Sequence, residues 1–182
     1  MKRVFLLTGP PGSGKTTVML RVAKRVRAEG FKVGGMVTRE VRKGGVRVGF
    51  EVSDLATGEV GVLARVGEGS GPRVGKYRVN LSDLEAVGVE AVKRALREAD
   101  VVFIDEVGPM ELYSQKFRQA VLEASRSGRP LVATVHYRVK DRLIEGLKAE
   151  EGSLLLEVRP ESRGRAFEKL ASEVLKALKA LR

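Results

Sequence analysis

Short apolar runs and amphipathic segments alternate along this chain of 182 residues. Four apolar runs are too short for helices and are bounded by turn residues, which is typical of buried strands. The segments between them repeat apolar residues at helical spacing. The predicted strands are residues 3–8, 101–105, 131–136 and 153–158, and the predicted helices are residues 15–29, 82–99, 114–127, 138–149 and 163–181. This order indicates an α/β fold, a mostly parallel sheet flanked by helices on both faces.

Three further strands are predicted at residues 31–41, 46–52 and 60–66. Strict alternation of apolar and polar residues, with turns rich in glycine between the runs, is typical of antiparallel pairing. We therefore expect a small antiparallel β insert at one edge of the sheet. The glycine-rich stretch at 67–76 is expected to be a mobile surface loop. Ser82, with Glu85 three residues later, predicts a capping box at the start of the next helix. Repeats and linkers are absent from the sequence, which predicts a single domain over residues 1–182.

The stretch GPPGSGKTT, residues 9–17, lies between the first predicted strand and the first predicted helix. It matches G-x-x-x-x-G-K-[ST] at every fixed position, in the strand–loop–helix context that this motif requires. The backbone N–H groups of such a loop surround an anion at a helix N-terminus. Lys15 is expected to reach the β- and γ-phosphates, Thr16 to bind magnesium and Thr17 to contact the α-phosphate. The stretch predicts a nucleotide phosphate site.

Two acidic residues end the strand predicted at 101–105, in the run VVFIDEVG. Asp105 is expected to hold the magnesium ion, as the acid at the end of this strand does in other phosphate-loop proteins. Successive strand residues point to opposite faces, so Glu106 is not expected to bind the same ion while the strand stays regular. Glu106 is then free to orient and polarise a water for in-line attack on the γ-phosphate. This pair favours hydrolysis over transfer to an acceptor.

Asp105 and Gly108 also fit the D-x-x-G pattern of small GTPases. Pro109 stands where such proteins often carry a glutamine that positions water, and the chain contains no N-K-x-D motif for guanine. The pattern of the acid strand, and of LVATVH at 131–136, better fits the ATPases that insert a strand between the loop strand and the acid strand. In that arrangement Thr134 or His136 is predicted near the γ-phosphate as a sensor.

Composition narrows the choice of cofactor and partner. The absence of cysteine and a single histidine exclude disulfides, thiolate metal sites and a histidine cluster, so Mg²⁺ held by oxygens is the expected metal. A net charge of +11 suits phosphate ligands. Nucleic acid is the less favoured partner, because the basic residues are dispersed and tryptophan is absent. One asparagine and two glutamines in a highly charged chain favour a heat-adapted source.

The apolar start of the chain ends at Pro10, too early for a signal peptide, and the chain has no apolar run long enough to span a bilayer. We therefore predict a cytoplasmic protein without a membrane partner. A cation is also expected against the negative charge of the transition state. Arg73 and Lys76, in the glycine-rich stretch, are the first candidates, with Arg39 and Arg138 behind them.

Four phrases of the sequence together resemble the thermophilic nucleoside-triphosphatase family, whose relatives include the cancer-related nucleoside-triphosphatase of vertebrates. The phrases are GPPGSGKTT, GFEVSDLATGE, GPRVGKYRVN and IDEVGPMEL, and the resemblance covers nearly the whole chain. It implies a P-loop NTPase domain of the RecA-like type that hydrolyses ATP, GTP, CTP, UTP and others with magnesium. The nucleotide-binding residues implied by position are Gly9, Pro10, Pro11, Gly12, Ser13, Gly14, Lys15, Thr16, Val101, Val102, Phe103, Ile104, Asp105, Glu106, Val107 and Gly108.

We accordingly expect a magnesium-dependent hydrolase of nucleoside triphosphates, with Glu106 and Lys15 as catalytic residues and Thr16 and Asp105 as metal ligands. Two alternatives remain open. A nucleoside or nucleotide kinase has a similar length and the same loop, and a nucleic-acid-stimulated ATPase module would explain the charge. The sequence indicates neither a base preference nor an oligomeric state.

Overall fold

The computed structural model describes residues 3–67 and 69–182 of the chain. Its strands are β1 Val4–Thr8, β2 Val33–Lys43, β3 Val46–Asp54, β4 Val60–Val66, β5 Arg73–Val74, β6 Tyr77–Val79, β7 Val101–Val107, β8 Leu131–Val135 and β9 Ser153–Glu157. Its helices are α1 Lys15–Ala28, α2 Leu81–Asp83, α3 Glu90–Glu98, α4 Gln115–Arg126, α5 Arg142–Ala149 and α6 Arg163–Ala180. A π-helical segment, Leu84–Val89, joins α2 to α3, and 3₁₀ turns occur at Glu111–Tyr113 and Pro160–Ser162.

The nine strands of the described residues form one sheet, in the order β5-β6-β4-β3-β2-β7-β8-β1-β9. The pairs β7–β8, β8–β1 and β1–β9 are parallel, which confirms the predicted parallel core. Strand β8 lies between β1 and the acid strand β7, as the sequence predicted. The carboxyl ends of these strands therefore meet at one edge of the sheet, where ligands bind in open α/β folds.

Helices cover both faces of the parallel strands. Phe5 and Leu7 of β1 pack in a core with α1 and α6, whereas Val4 and Leu6 pack on the other face with α3, α4 and α5. Side chains of one strand alternate between the two faces, so a strand buried on both sides reads as the continuous apolar run seen in the sequence. Among the described residues, no helix combines the length and the apolar character needed to cross a bilayer.

Strand β2 belongs to both parts of the sheet, which the sequence prediction missed. Its first residues pair in parallel with β7, from Val33 opposite Val101 to Met36 opposite Ile104. The rest of β2 pairs antiparallel with β3. The antiparallel insert was predicted correctly, but the parallel core has one strand more than expected. Part of the predicted loop at 67–76 also pairs, because Arg73–Val74 lies antiparallel to Tyr77–Val79; Glu68 lies outside the described residues.

Two predicted helix starts are wrong. The helix expected from Ser82 begins at Leu81, and Asn80 caps it, because the Asn80 side chain accepts a hydrogen bond from the Asp83 N–H at 2.9 Å. The helix expected from residue 138 begins at Arg142. Asp141 caps it by accepting a hydrogen bond from the Leu143 N–H at 2.8 Å. In the first case Asn80 provides the cap instead of the predicted Ser82, and in the second the Asp141 cap sets a later start.

Candidate nucleotide-binding and catalytic site

The loop between β1 and α1 has the backbone of an anion-binding loop. Three of its glycines have positive φ angles: Gly9 at 152°, Gly12 at 74° and Gly14 at 102°. A Cβ on Gly9 would also lie 2.2 Å from the carbonyl oxygen of Val158 in the neighbouring chain segment. Glycine is therefore required at Gly9 by the close approach and at Gly12 and Gly14 by the backbone conformation. Helix α1 begins directly after the loop, so its N-terminus points at the site.

Lys15 lies across this loop. Its ammonium donates hydrogen bonds to the carbonyl oxygens of Gly9, at 2.7 Å, and Pro10, at 3.3 Å. A turn inside the loop is closed by the Ser13 N–H, which donates to the Pro10 carbonyl at 3.1 Å. The positive charge is thus held above the loop before any phosphate binds. This placement supports the predicted role of Lys15.

Arg163, the first residue of α6, braces the same loop from outside. Its guanidinium donates from Nε to the Ser13 carbonyl at 2.8 Å and from Nη2 to the Gly12 carbonyl at 3.2 Å. Contacts of this kind leave the loop N–H groups free to face a phosphate. No local motif marks Arg163 in the sequence, since it lies about 150 residues from its partners. The sequence analysis therefore missed it.

Asp105 is completely buried at the end of β7, with a relative exposure of 0%. Three threonine hydroxyls surround its carboxylate. Thr134 donates at 2.8 Å, Thr16 at 3.0 Å and Thr38 at 3.2 Å, and the Thr38 N–H donates at 3.3 Å. Burial raises the pKa of Asp105 above its usual value, and the hydrogen bonds from the threonines oppose this shift. The loop residue Thr16 and the acid of β7 are therefore in direct contact, and their role as magnesium ligands stays a prediction.

The surroundings of Asp105 fit a divalent cation. Among the described residues, no basic side chain forms an ion pair with Asp105. A buried carboxylate without a cationic partner is costly. A metal held by Asp105 and the Thr16 hydroxyl would supply the missing positive charge, and oxygen ligands suit magnesium. The residues present therefore fit the expected metal.

Glu106 leaves the regular strand at a β-bulge. Ile104 pairs with Ala133, but the next pair joins Val107 to Val135, so β7 carries one residue more than β8 at this point. Glu106 has a φ of 84°, and no other non-glycine among the described residues has a positive φ. Bulges often re-aim a side chain beside an active site, and a strained φ persists where the surrounding structure holds it. The regular alternation expected for Asp105 and Glu106 is therefore absent.

The Glu106 carboxyl lies in the field of both Asp105 and Lys15. Burial and the charge of Asp105 raise the pKa of Glu106 to about 7, against the opposing effect of Lys15. Its Oε1 atom is buried and makes no hydrogen bond to any described residue. A carboxyl group with a pKa near neutrality and a free oxygen beside the phosphate loop has the properties of a general base. The bulge, which the sequence did not predict, gives it this position.

Thr134 joins the two acidic residues. Its hydroxyl donates to Asp105 and accepts a hydrogen bond from the Glu106 N–H at 2.8 Å. The residue is completely buried. The hydroxyl thus acts both as a donor and as an acceptor of hydrogen bonds inside the protein. Thr134 therefore bridges the Asp105 carboxylate and the backbone of the bulge, and its role as a sensor stays a prediction.

His136 follows β8 on the same edge of the sheet. Its Nδ1 accepts hydrogen bonds from the N–H groups of Arg138 and Val139, both at 3.2 Å. Burial, followed by the charges of Lys15 and Arg138, lowers the pKa of His136. The imidazole is therefore neutral at pH 7 and carries its proton on Nε2. The charge of Lys15 thus acts on His136, whose role as a sensor near the γ-phosphate stays a prediction.

The candidate cations lie outside this cluster. Arg73 is on β5, seven positions along the sheet from β1, and neighbouring strands are about 4.8 Å apart. The Lys76 ammonium lies 5.6 Å from the ring centroid of Tyr77. Arg39 is paired with Glu51, and Arg138 is exposed next to His136. This conformation does not bring Arg73 or Lys76 to the phosphate loop, and the role of all four stays a prediction.

Glu111 is a further acidic residue that sequence reasoning missed. It is 2% exposed, in the 3₁₀ turn that follows β7. Burial, and then the charge of Glu106, raise the pKa of Glu111 well above its usual value. Burial therefore favours the neutral form of this carboxyl group. Its position in GPMEL, where an acidic residue stands between two apolar ones, was the available signal.

A phosphate loop between β1 and α1, with an acid strand one strand removed from β1, defines a P-loop NTPase of the RecA-like arrangement. A family model described as "NTPase" matches residues 4–171. The Nucleoside-triphosphatase THEP1 of Methanocaldococcus jannaschii is 44% identical over 97% of this chain and 99% of its own length. That of Thermofilum pendens is 61% identical over 74% of both chains. The chain belongs to this NTPase family.

Two solved structures have the same fold. The crystal structure of THEP1 from the hyperthermophile Aquifex aeolicus superposes with a TM-score of 0.82, at 33% identity, over 94% of this chain and 98% of that one. The solution structure of a human cancer-related nucleoside triphosphatase gives a TM-score of 0.78, at 34% identity, over 96% and 97%. These likenesses confirm the family and the fold class that the sequence predicted.

Replacing Arg163 with alanine is expected to raise the KM for every nucleoside triphosphate about fivefold to tenfold, which corresponds to about 1 kcal/mol, the net contribution of one typical hydrogen bond. The kcat should stay within about twofold of wild type, because the guanidinium contacts the outer carbonyls of the loop and not the reacting atoms. Steady-state phosphate release measures both constants. Arg165→Ala is the matched control, since Arg165 is exposed on the same helix. An unchanged KM in Arg163→Ala would contradict the bracing role.

Proposed function

We propose that this protein hydrolyses nucleoside 5′-triphosphates, including ATP, GTP, CTP and UTP, to the diphosphate and phosphate, with magnesium. The observation that carries the proposal is the Glu106 carboxyl, which follows the bulge in β7, is influenced by the charges of Asp105 and Lys15, and has an Oε1 without a hydrogen-bond partner among the described residues. The names of the relatives, nucleoside-triphosphatase, support the reaction class.

The residues divide the work between binding and attack. The loop N–H groups and Lys15 bind the β- and γ-phosphates and stabilise the charge that builds up on them. Thr16 and Asp105 would hold the metal, which would neutralise charge on the phosphates. Glu106 accepts a proton from a water in line with the γ-phosphate, and His136 donates from Nε2 to a γ-phosphate oxygen. Because all of these contacts are to the phosphates and none is to the base, we expect the enzyme to accept nucleoside triphosphates with different bases.

The kinase alternative requires an acceptor at the position where Glu106 would place its water. Asp105 and Lys15 are the charged groups that shift the pKa of Glu106, and the charge of Glu106 in turn acts on the buried Glu111, so the described cluster consists of acids and one lysine. The nucleic-acid-stimulated ATPase rests on the net charge of +11 alone. Hydrolysis by water is therefore the function that the geometry supports best.

Phosphate release in ¹⁸O-labelled water tests the proposal. We expect steady release from ATP, GTP, CTP and UTP with magnesium alone, with one labelled oxygen in each phosphate released and none in the diphosphate. Removal of the metal with a chelator should stop the release, and magnesium should restore it. No phosphate release, with diphosphate and a phosphorylated acceptor formed only when a nucleoside or nucleotide is added, would favour the kinase. Release that needs DNA or RNA would favour the nucleic-acid-stimulated ATPase.

A further inference from the structure

The backbone conformation of Gly108 does not require glycine, but the space around its Cα does. The described glycines with positive φ angles do not include Gly108, so its conformation is open to any residue. A Cβ built on it would nevertheless lie 2.6 Å from Oε1 of Glu106, 3.1 Å from its Cγ and 3.2 Å from its Cδ. Real Cβ atoms essentially never show contacts below 3.0 Å. The Glu106 side chain thus folds back over the bare Cα of Gly108.

The backbone around Gly108 is anchored on both sides. The preceding residue, Val107, pairs with Val135, and its carbonyl accepts a hydrogen bond from the His136 N–H at 3.1 Å. The Gly108 carbonyl accepts a hydrogen bond from the Leu112 N–H at 3.0 Å. Gly108 is itself buried. An added methyl group cannot be relieved by moving the backbone without breaking these bonds, so the carboxyl group of Glu106 would have to move.

We propose that Gly108 is a positioning residue for the hydrolytic step, because its bare Cα surface fixes where the carboxyl group of Glu106 rests and therefore where the attacking water is held. This inference rests on the proposed role of Glu106. The N–H of Glu106 is fixed by Thr134, and its carboxyl lies against Gly108. The bulge determines the direction in which the Glu106 side chain leaves the strand, and Gly108 determines where its carboxyl group lies.

Replacing Gly108 with alanine is expected to lower kcat about 10- to 100-fold, because a displacement of about 1 Å at a reacting group costs rate on this scale. The KM and the affinity for nucleotide should change less than kcat, since the atoms nearest to the added Cβ all belong to Glu106. Phosphate release and nucleotide titration measure these constants. Gly146→Ala is the matched control, because a Cβ at Gly146, on α5, meets nothing within 4 Å.

A double-mutant cycle with Glu106→Ala separates positioning from a general structural defect. Removing the Glu106 side chain also removes the clash, so Gly108→Ala should lower Tm in the wild-type background and change it little in the Glu106→Ala background. Wild-type kcat in Gly108→Ala would overturn the inference, as would an equal loss of Tm in both backgrounds. If Glu106→Ala keeps full activity, the proposed function of Glu106 fails. If Glu106→Ala is inactive and Gly108→Ala is not, only the role of Gly108 fails.

Discussion

Replacing Glu106 with glutamine is expected to lower the steady-state rate of phosphate release about 10²- to 10⁴-fold, the usual contribution of a general base. The amide has the same shape as the carboxyl group and can pack against Gly108 in the same way, but it does not accept a proton from water. The phosphate loop and Lys15 are unchanged. Binding of nucleotide should therefore remain within about twofold of wild type, which equilibrium titration with a fluorescent nucleotide measures.

The pH profile gives this variant a second signature. Burial and the charge of Asp105 raise the pKa of Glu106 to about 7. A general base works when it is ionised, so wild-type kcat/KM should rise with pH through about 7 and then level off. The residual activity of Glu106→Gln should lack this rise. Lys15→Ala is the contrasting variant, because it should weaken nucleotide binding. A Glu106→Gln protein with wild-type turnover would exclude this residue as the base.

The sequence predicted the parts of the site that local pattern determines. The loop at 9–17 and the acid strand are each encoded by a continuous run, and the order of β7, β8 and β1 followed from the pattern of the acid strand. Buried strands and phosphate loops have the same local requirements wherever they occur in a chain. The fold class and the family could therefore be predicted without a structure.

The remaining parts depend on contacts between distant segments. Thr38 donates two hydrogen bonds to Asp105, but this follows only once β2 lies beside β7, and the sequence placed β2 in the antiparallel insert. The bulge at Glu106 depends on Thr134, from the neighbouring strand. Period-two alternation assumes a regular strand, so it predicts the wrong face at a bulge. Tertiary contacts therefore determine the orientation of the Glu106 side chain.

Replacing Asp105 with asparagine is expected to abolish activity and, at the same time, to stabilise the metal-free protein. Activity should fall by at least about 10³-fold, because the metal contributes several kcal/mol to the transition state. The Tm at pH 8 should rise by a few degrees, where each kcal/mol corresponds to about 2–4 °C for a chain of this length. The reason is that Asp105 is buried without a cationic partner. Function and stability therefore conflict at this residue.

The sign of the effect follows from the direction of the pKa shift. The pKa of Asp105 is raised in the folded protein, so its stabilising contribution is present below the usual pKa of 3.8 and is lost as pH rises through the folded value. Asparagine does not titrate. The difference in Tm between variant and wild type, measured without divalent cations, should therefore be small near pH 4 and grow toward pH 8.

Asp141 provides a control of opposite sign. The Arg118 side chain holds the pKa of Asp141 below its usual value, so ionised Asp141 stabilises the fold, and Asp141→Asn should lower Tm at neutral pH. That loss should disappear as pH falls through the folded pKa. Magnesium with nucleotide should raise the Tm of wild type and of Asp141→Asn, but not of Asp105→Asn, because a ligand stabilises only a protein that binds it. A lower Tm for metal-free Asp105→Asn at pH 8 would contradict this account, since it would mean that the buried carboxylate stabilises the fold without its metal.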